Sequence, residues 1–494
     1  MSPRLARRRG NPMRRAVRQS TTMLLALVVA SCVATPVDRR SEPAPAAAMV
    51  AVAQWSSSAD ASRKLAAMPS LQLVPMAPAP DVVTVEPLRQ YQAMVGFGAA
   101  MTDASADVIM GMPDAEAREA LFDELFLPDR QGFAFMRLPI GASDFSREHY
   151  SFDDMPAGQA DPGLVHFSMA QAAPQLAATR AAKARSPDMV LMATPWSAPG
   201  WMKTSDSLVT GRLSPGHYAD FAAYLARYLA EMDRTGLPVD YLSIQNEPHF
   251  EPGDYPGMRM DPAARTAFVG GHLGPLLARQ HPATKILDWD HNWNEPDSPL
   301  AVLADPAASS HIVGVAWHCY AGDVSAQGVV HDAFPEKDAF FTECSGGEWA
   351  PHWGETLGWM TANLVIGATR NWSRGTLLWN LALDENHGPH KGGCGDCRGV
   401  VTIDSRTGAV TRNVEYYVLG HASRFVRPGA RRIASDEIGD IANVAWQNPD
   451  GGLVLLAFNH GTQAAVFKVR VGASGFSATM PAGEVTTFTW RSQG

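Results

Sequence analysis

Between residues 96 and 381 the chain repeats one pattern: a short apolar run, then a longer stretch whose apolar positions recur at helical spacing. The runs fall at residues 96–101, 133–140, 189–194, 241–245, 285–289, 312–317, 339–342 and 376–381. Each is too short for a buried helix and reads as a strand covered on both faces. Alternating strands and helices predict a parallel sheet with crossovers, and eight such units predict closure into a (β/α)8 barrel. Residues 414–425 read as its last helix. Four further runs, at 443–446, 453–458, 465–471 and 485–490, are punctuated by Gly and Pro and predict a small antiparallel β-sandwich. Residues 81–86 alternate apolar and polar, so the segment 71–92 is expected to join that sandwich. The side domain is then discontinuous: the barrel (93–425) is inserted between 71–92 and 426–494. Residues 41–67 are rich in Ala, Pro and Ser without a period, and 32–70 is expected to be a flexible tether.

Composition changes the picture at the N-terminus. Residues 4–18 hold seven arginines and no acid, and an apolar stretch from Met23 runs into Val29-Ala30-Ser31-Cys32. Residues 1–31 therefore read as an export leader, too short in its apolar part to span a bilayer. The last four residues resemble a bacterial lipobox, which implies lipid on Cys32 and membrane contact at the cell envelope. An ordinary signal peptide with an incidental cysteine is the alternative, and both export the chain. The whole sequence has 41 basic and 50 acidic residues. Without the seven leader arginines the basic count is 34 and the formal charge −16. Nucleic acid, which is bound by clustered Lys and Arg, is excluded as a partner, and a neutral substrate such as a sugar is favoured.

Candidate chemistry collects just after the apolar runs, at Asp144, Trp196, Glu247, His291, His318, Glu343 and Asp384. A barrel places its active site there. Glu247 and Glu343 each end an apolar run, and two carboxyl groups brought together are the machinery of glycoside hydrolysis. No Gly-x-Ser-x-Gly elbow, phosphate loop or His-Glu-x-x-His motif is present. Cys319 and Cys344, inside apolar runs, are expected to behave as small hydrophobes. Cys394 and Cys397, preceded by His387 and His390, leave three readings open: a metal site, a disulfide or free thiols.

Seven ordered segments carry a family resemblance: 96–104 (Gly-Phe-Gly-Ala-Ala-Met-Thr-Asp-Ala), 137–146, 194–203, Gln245-Asn-Glu-Pro248, Trp317-His-Cys-Tyr320, Thr342-Glu-Cys344 and 379–383. Together they resemble glycoside hydrolase family 30, the glucosylceramidase-like retaining β-glycosidases. The resemblance implies a barrel with a side sandwich, no cofactor and no catalytic metal. It implies Glu247 as acid/base and Glu343 as nucleophile. It further implies that Asp103, Trp196, Asn246, Trp379 and Asn380 bind the sugar, with His318 and Tyr320 around the nucleophile. Asp103 has a second reading, as a helix cap. The expected substrate is a β-glucoside, glucan or glycolipid, with hydrolysis of β-glucosidic bonds as the main reading and endo-β-1,6-glucanase as the alternative. A catalytically silent carbohydrate-binding envelope lipoprotein is the rival from another class.

Overall fold

The computed structural model describes residues 50–491. The leader, Cys32 and residues 32–49 lie outside them. Eight strands close into a parallel barrel in chain order: β1 Gly96–Ala100, β2 Phe135–Ile140, β3 Val190–Pro195, β4 Tyr241–Ser243, β5 Lys285–Asn292, β6 Ile312–His318, β7 Asp338–Glu343 and β8 Ser373–Leu378. All eight predicted runs are found.

The barrel interior is layered, and the layers follow from the two-residue period of a strand. The floor is a cluster taking one buried side chain from each strand or its entry: Val95, Phe135, Met192, Tyr241, Leu287, Ala316, Phe340 and Leu377. Two residues further along, six of the eight positions are Arg137, Thr194, Ser243, His318, Thr342 and Trp379, with Phe97 and Trp289 at the other two. Apolar filling thus gives way to hydrogen-bonding groups in a single step toward the C-terminal rim. In β5 the register shifts against β6, and Trp289 and Asp290 both adopt positive φ (75° and 54°). That irregularity brings Asp290 into the polar layer.

The side domain is one ten-stranded sheet that wraps over its own apolar core, which includes Val52, Val83, Val469, Phe476 and Phe488. Its strand order by residues is 66–72, 51–57, 485–491, 452–459, 441–447, 431–435, 83–93, 465–471, 474–480 and 74–75. The expected tether does not extend to residue 70: Ala51–Ser57 pairs with both Ala66–Gln72 and Val485–Arg491. The Ala- and Ser-rich composition concealed this strand. Its Val52 and Ser56 are nevertheless fully buried, and Trp55 packs on Phe425 at 4.5 Å between ring centroids.

Where the sheet meets the helix Val414–Ser423, His421 is fully buried between two sheet hydroxyls. The Thr487 hydroxyl donates to the His421 carbonyl (2.7 Å), so it accepts from Nδ1–H (2.9 Å). The Ser57 hydroxyl accepts from Leu65 N–H (2.8 Å), so its own hydrogen is left for Nε2 (2.8 Å). This arrangement requires a neutral imidazole. Burial, aided by the charge of Arg424, pushes its pKa down to about 3. Because the folded value lies below the unfolded one, the stabilisation is complete above about pH 6.5 and is lost as pH falls toward 3, at roughly 1.4 kcal/mol per pH unit. We predict that the melting temperature falls between pH 7 and pH 5, and that the fall is smaller in His421→Gln. Equal acid sensitivity of the two proteins in calorimetric scans would refute this.

Candidate active site

The polar layer is organised by Arg137, a fully buried guanidinium in β2. An unpaired charge in that position would be very costly, and every arm of the fork is engaged. Nε donates to Thr194 Oγ1 (3.3 Å), one terminal nitrogen to Asn246 Oδ1 (2.7 Å) and Asp290 Oδ2 (2.8 Å), and the other to Glu343 Oε2. The cation also lies 4.8 Å from the ring centre of Trp196, which stacks on Trp379 at 5.0 Å. Asp290 in turn accepts from Thr342 Oγ1 (2.7 Å) and pairs with His318 Nε2 (3.0 Å). Burial opposes its charge, yet Arg137 and His318 outweigh it and hold the Asp290 carboxyl far below the usual range.

Glu247 and Glu343 meet above this layer. Glu247 follows the short strand β4 with φ of +46°, a strained conformation that its N–H bond to Asp290 O (3.0 Å) helps to hold. One oxygen of each glutamate and one His318 ring nitrogen all lie within 4.8 Å of one another. His318 Nδ1 is 3.2 Å from Glu247 Oε1, and Tyr320 O–H donates to Glu343 Oε1 (3.1 Å). Burial disfavours a charged His318, but Glu343, Asp290 and Glu247 reverse this and raise its pKa to about 9. An imidazolium with both nitrogens donating is no metal ligand, so this trio suits proton and nucleophile chemistry better than a metal cage. Burial raises the pKa of Glu247, and burial with the charge of Glu343 raises Asp144 to about 8. Arg137 and His318 are paired with Asp290 and Glu343, and burial disfavours the charged forms of Glu247 and Asp144.

A cavity of about 600 Å3 opens on this pair. Of the expected site residues, Glu247, Glu343, Trp196, Asn246, Tyr320 and Trp379 line it. Three others do not. His318 is buried behind the two glutamates. Asp103 turns its carboxylate to the Ser146 (2.7 Å) and Tyr150 (2.8 Å) hydroxyls, and the cap of its helix is Thr102. Asn380 is fully buried and accepts from Thr102 Oγ1 (2.8 Å). Their sequence positions next to strand exits are as expected, but the side chains point behind the wall. Asp144 and His291, noted after their strands without a role, do line the cavity. Arg137 and Asp290 were missed altogether. The available signal was a lone arginine inside the apolar run Phe-Met-Arg-Leu-Pro-Ile, a place where a charge requires a partner.

The cysteines need a correction. Cys319 and Cys344 form a disulfide rather than packing as separate hydrophobes. They sit one residue beyond the ends of neighbouring parallel strands β6 and β7, which brings their Cα atoms to 5.4 Å, within bridging range. Cys394 and Cys397 also pair with each other. His387 and His390 turn their Nδ1 atoms to the carbonyls of Cys397 (3.1 Å) and Gly392 (3.2 Å), so the metal reading of this loop is dropped.

A (β/α)8 barrel with paired glutamates at its C-terminal rim defines a glycoside hydrolase. The glycosyl hydrolase family 30 TIM-barrel domain matches residues 94–426, and the glycosyl hydrolase family 30 beta sandwich domain matches residues 429–488. The chain belongs to glycosyl hydrolase family 30. It is 33% identical over 426 residues to an endo-1,6-β-D-glucanase of Aspergillus fumigatus, covering 80% of this chain and 85% of that one. With the lysosomal acid glucosylceramidase of Mus musculus the identity is 28% over 449 residues, covering 83% and 84%. The solved endo-β1,6-glucanase BT3312 superimposes with a TM-score of 0.81 at 30% identity, over 90% of this chain and 99% of that one.

Arg137→Lys keeps the charge but not the planar fork, so it cannot satisfy all four acceptors at once. We expect kcat on an aryl β-glucoside to fall by about 10²-fold, roughly 2.7 kcal/mol of barrier, with the fold retained by circular dichroism. A loss below about threefold would show that the guanidinium does not position the pair.

Proposed function

We propose that this chain is a retaining endo-β-1,6-glucanase, with Glu343 as nucleophile and Glu247 as acid/base. The observation that carries the retaining chemistry is the approach of the two carboxyl groups to within 4.8 Å. Retaining enzymes hold them about 5 to 5.5 Å apart, whereas inverting enzymes leave about 6.5 to 9.5 Å for a water. The preference for glucan over glycolipid rests on the higher identity to endo-1,6-glucanases than to the glucosylceramidase. A rim bearing Phe250, Tyr320 and Trp349, each roughly half exposed, also suits a chain that passes across the mouth.

The geometry divides the work between the oxygens of Glu343. Arg137 holds Oε2, so Oε1, next to Tyr320 and facing Glu247, attacks the anomeric carbon. As that bond forms, the glycosidic bond breaks and the leaving oxygen takes the proton of Glu247. In the second step Glu247 removes a proton from water, the water attacks the anomeric carbon and the ester to Glu343 breaks. Asn246 accepts from Arg137 through Oδ1, which leaves its amide N–H groups for the sugar's 2-hydroxyl. The stacked pair Trp196 and Trp379 forms the apolar end of the cavity. The contact observed between His318 and Glu247 stabilises the carboxylate that Glu247 becomes after giving up its proton.

Incubation with β-1,6-glucan should release oligosaccharides from internal bonds early in the reaction, and Glu343→Ala should abolish release. Glucose as the sole early product, or cleavage of glucosylceramide with the glucan left intact, would overturn the endo-glucanase reading. Trapping with a slow fluorinated glucoside should put the covalent sugar on Glu343, and label elsewhere would reassign the nucleophile.

The raised pKa of Glu247 sets a second expectation. The acid works only while protonated, so kcat/KM should fall as pH rises through its pKa. In Glu247→Gln, assayed with a leaving group that needs no proton, this limb should disappear. Any remaining alkaline fall should follow the loss of charge on His318, whose raised pKa then rests on Glu343 and Asp290 without Glu247. An unchanged alkaline limb in the variant would exclude Glu247 as the acid.

A further inference from the structure

The segment after β7 builds a second cavity beside the catalytic one, of about 620 Å3. The two share Tyr320, Ser345 and Trp349. Beyond these the second cavity is lined by Cys319–Cys344, by His352 and Glu355, and by Trp359. Trp349 is 54% exposed and Trp359 46%. Leaving two indoles in water within one groove brings the fold no burial, so the groove is read as a surface that awaits a ligand.

The first of these rings is held in place. The Trp349 ring lies against Gly347, where a Cβ would come within 1.9 Å of it, and a Cβ on Gly346 would meet Glu415 at 1.8 Å. The two glycines pair with Cys397–Arg398, and Arg398 is bound to the buried Glu415 (3.0 Å). A platform fixed in this way loses little freedom when a ligand settles on it.

We propose that this groove binds glucosyl units of the same β-1,6-glucan chain, next to the unit held in the catalytic cavity. The proposal rests on the endo-glucanase reading. The closed end of the catalytic cavity is made by the buried Trp196 and Trp379, whereas the residues that join the two cavities include the exposed Tyr320 and Trp349. A chain with one sugar inside therefore passes over the rim, where the groove begins. Indole faces take the apolar faces of sugar rings, and the exposed His352 and Glu355 offer hydrogen bonds to hydroxyls. A carboxylate in the groove disfavours an anionic ligand.

Trp359 lines only the second groove and lies on the surface of the helix Trp353–Met360, so Trp359→Ala is suited to the test. It should leave kcat/KM for an aryl β-glucoside within about twofold of wild type while raising KM for β-1,6-glucan at least about fivefold. In a Glu343→Gln background, calorimetric affinity should rise from β-1,6-linked disaccharide to tetrasaccharide, and Trp359→Ala should remove that rise. A wild type that cuts the glucan, with a Trp359→Ala variant of equal KM and equal length dependence, overturns the groove and leaves the function intact. A wild type that binds the glucan through Trp359 without cutting it supports the groove and overturns the function. A wild type that neither cuts nor binds it overturns both.

Discussion

The structure turns on a single buried cation. Arg137 sits one layer above an apolar barrel floor, where it has no access to water, so four side chains from four different chain segments must converge on it. Removing one partner from such a buried set costs on the order of 3 to 5 kcal/mol. That penalty restricts the rotamers of Glu343, Asn246 and Asp290 together. It also explains why β5 departs from regular geometry, since a straight strand would carry Asp290 out of the layer. Backbone strain at Trp289 and Asp290 is tolerated because the ion pair with Arg137 requires Asp290 where it is.

From that constraint comes the asymmetry on which catalysis depends. Two carboxyl groups of one chemical type, held this close, cannot both ionise freely. The guanidinium is bonded to Glu343, while Glu247 meets the imidazolium of His318, which is itself shared with Asp290. One carboxyl group is thus bonded to a fixed guanidinium, and burial favours the proton on the other. Asp144, close enough to feel both, is driven to keep its proton as well.

Much of this was legible in the residues. The eight runs and their order emerge from periodicity, and Glu247 and Glu343 are conspicuous as acids at the ends of apolar strands. What remained hidden has physical reasons. Asp103 and Asn380 occupy rim positions in the sequence, but side-chain direction there depends on the local backbone, and Asn380 has a positive φ of 63°. The strand at 51–57 has only Val52 and Trp55 as large apolar residues among Ala, Ser and Gln, and one of its two partner strands lies at the far end of the chain. Phe250, Tyr255 and Trp349 reach the cavity from loops, where no period exists to be read. The Cys319–Cys344 bridge depends on which strands are neighbours, and this is known only once the barrel is closed.

The ten-stranded sheet has a consequence for how the molecule is made. Ala51–Ser57 needs Val485–Arg491 as its neighbour, so the earliest described strand waits for the last. Closing so long a loop is inexpensive at equilibrium, because each doubling of length adds only about 0.6 kcal/mol. Its effect is on timing. Throughout synthesis the barrel segments emerge while the first strand still carries an open edge, available to the equivalent strand of another growing chain. The sheet therefore acts as a clasp that shuts at the end, and the interval before it shuts is when the chain is most exposed to misassembly.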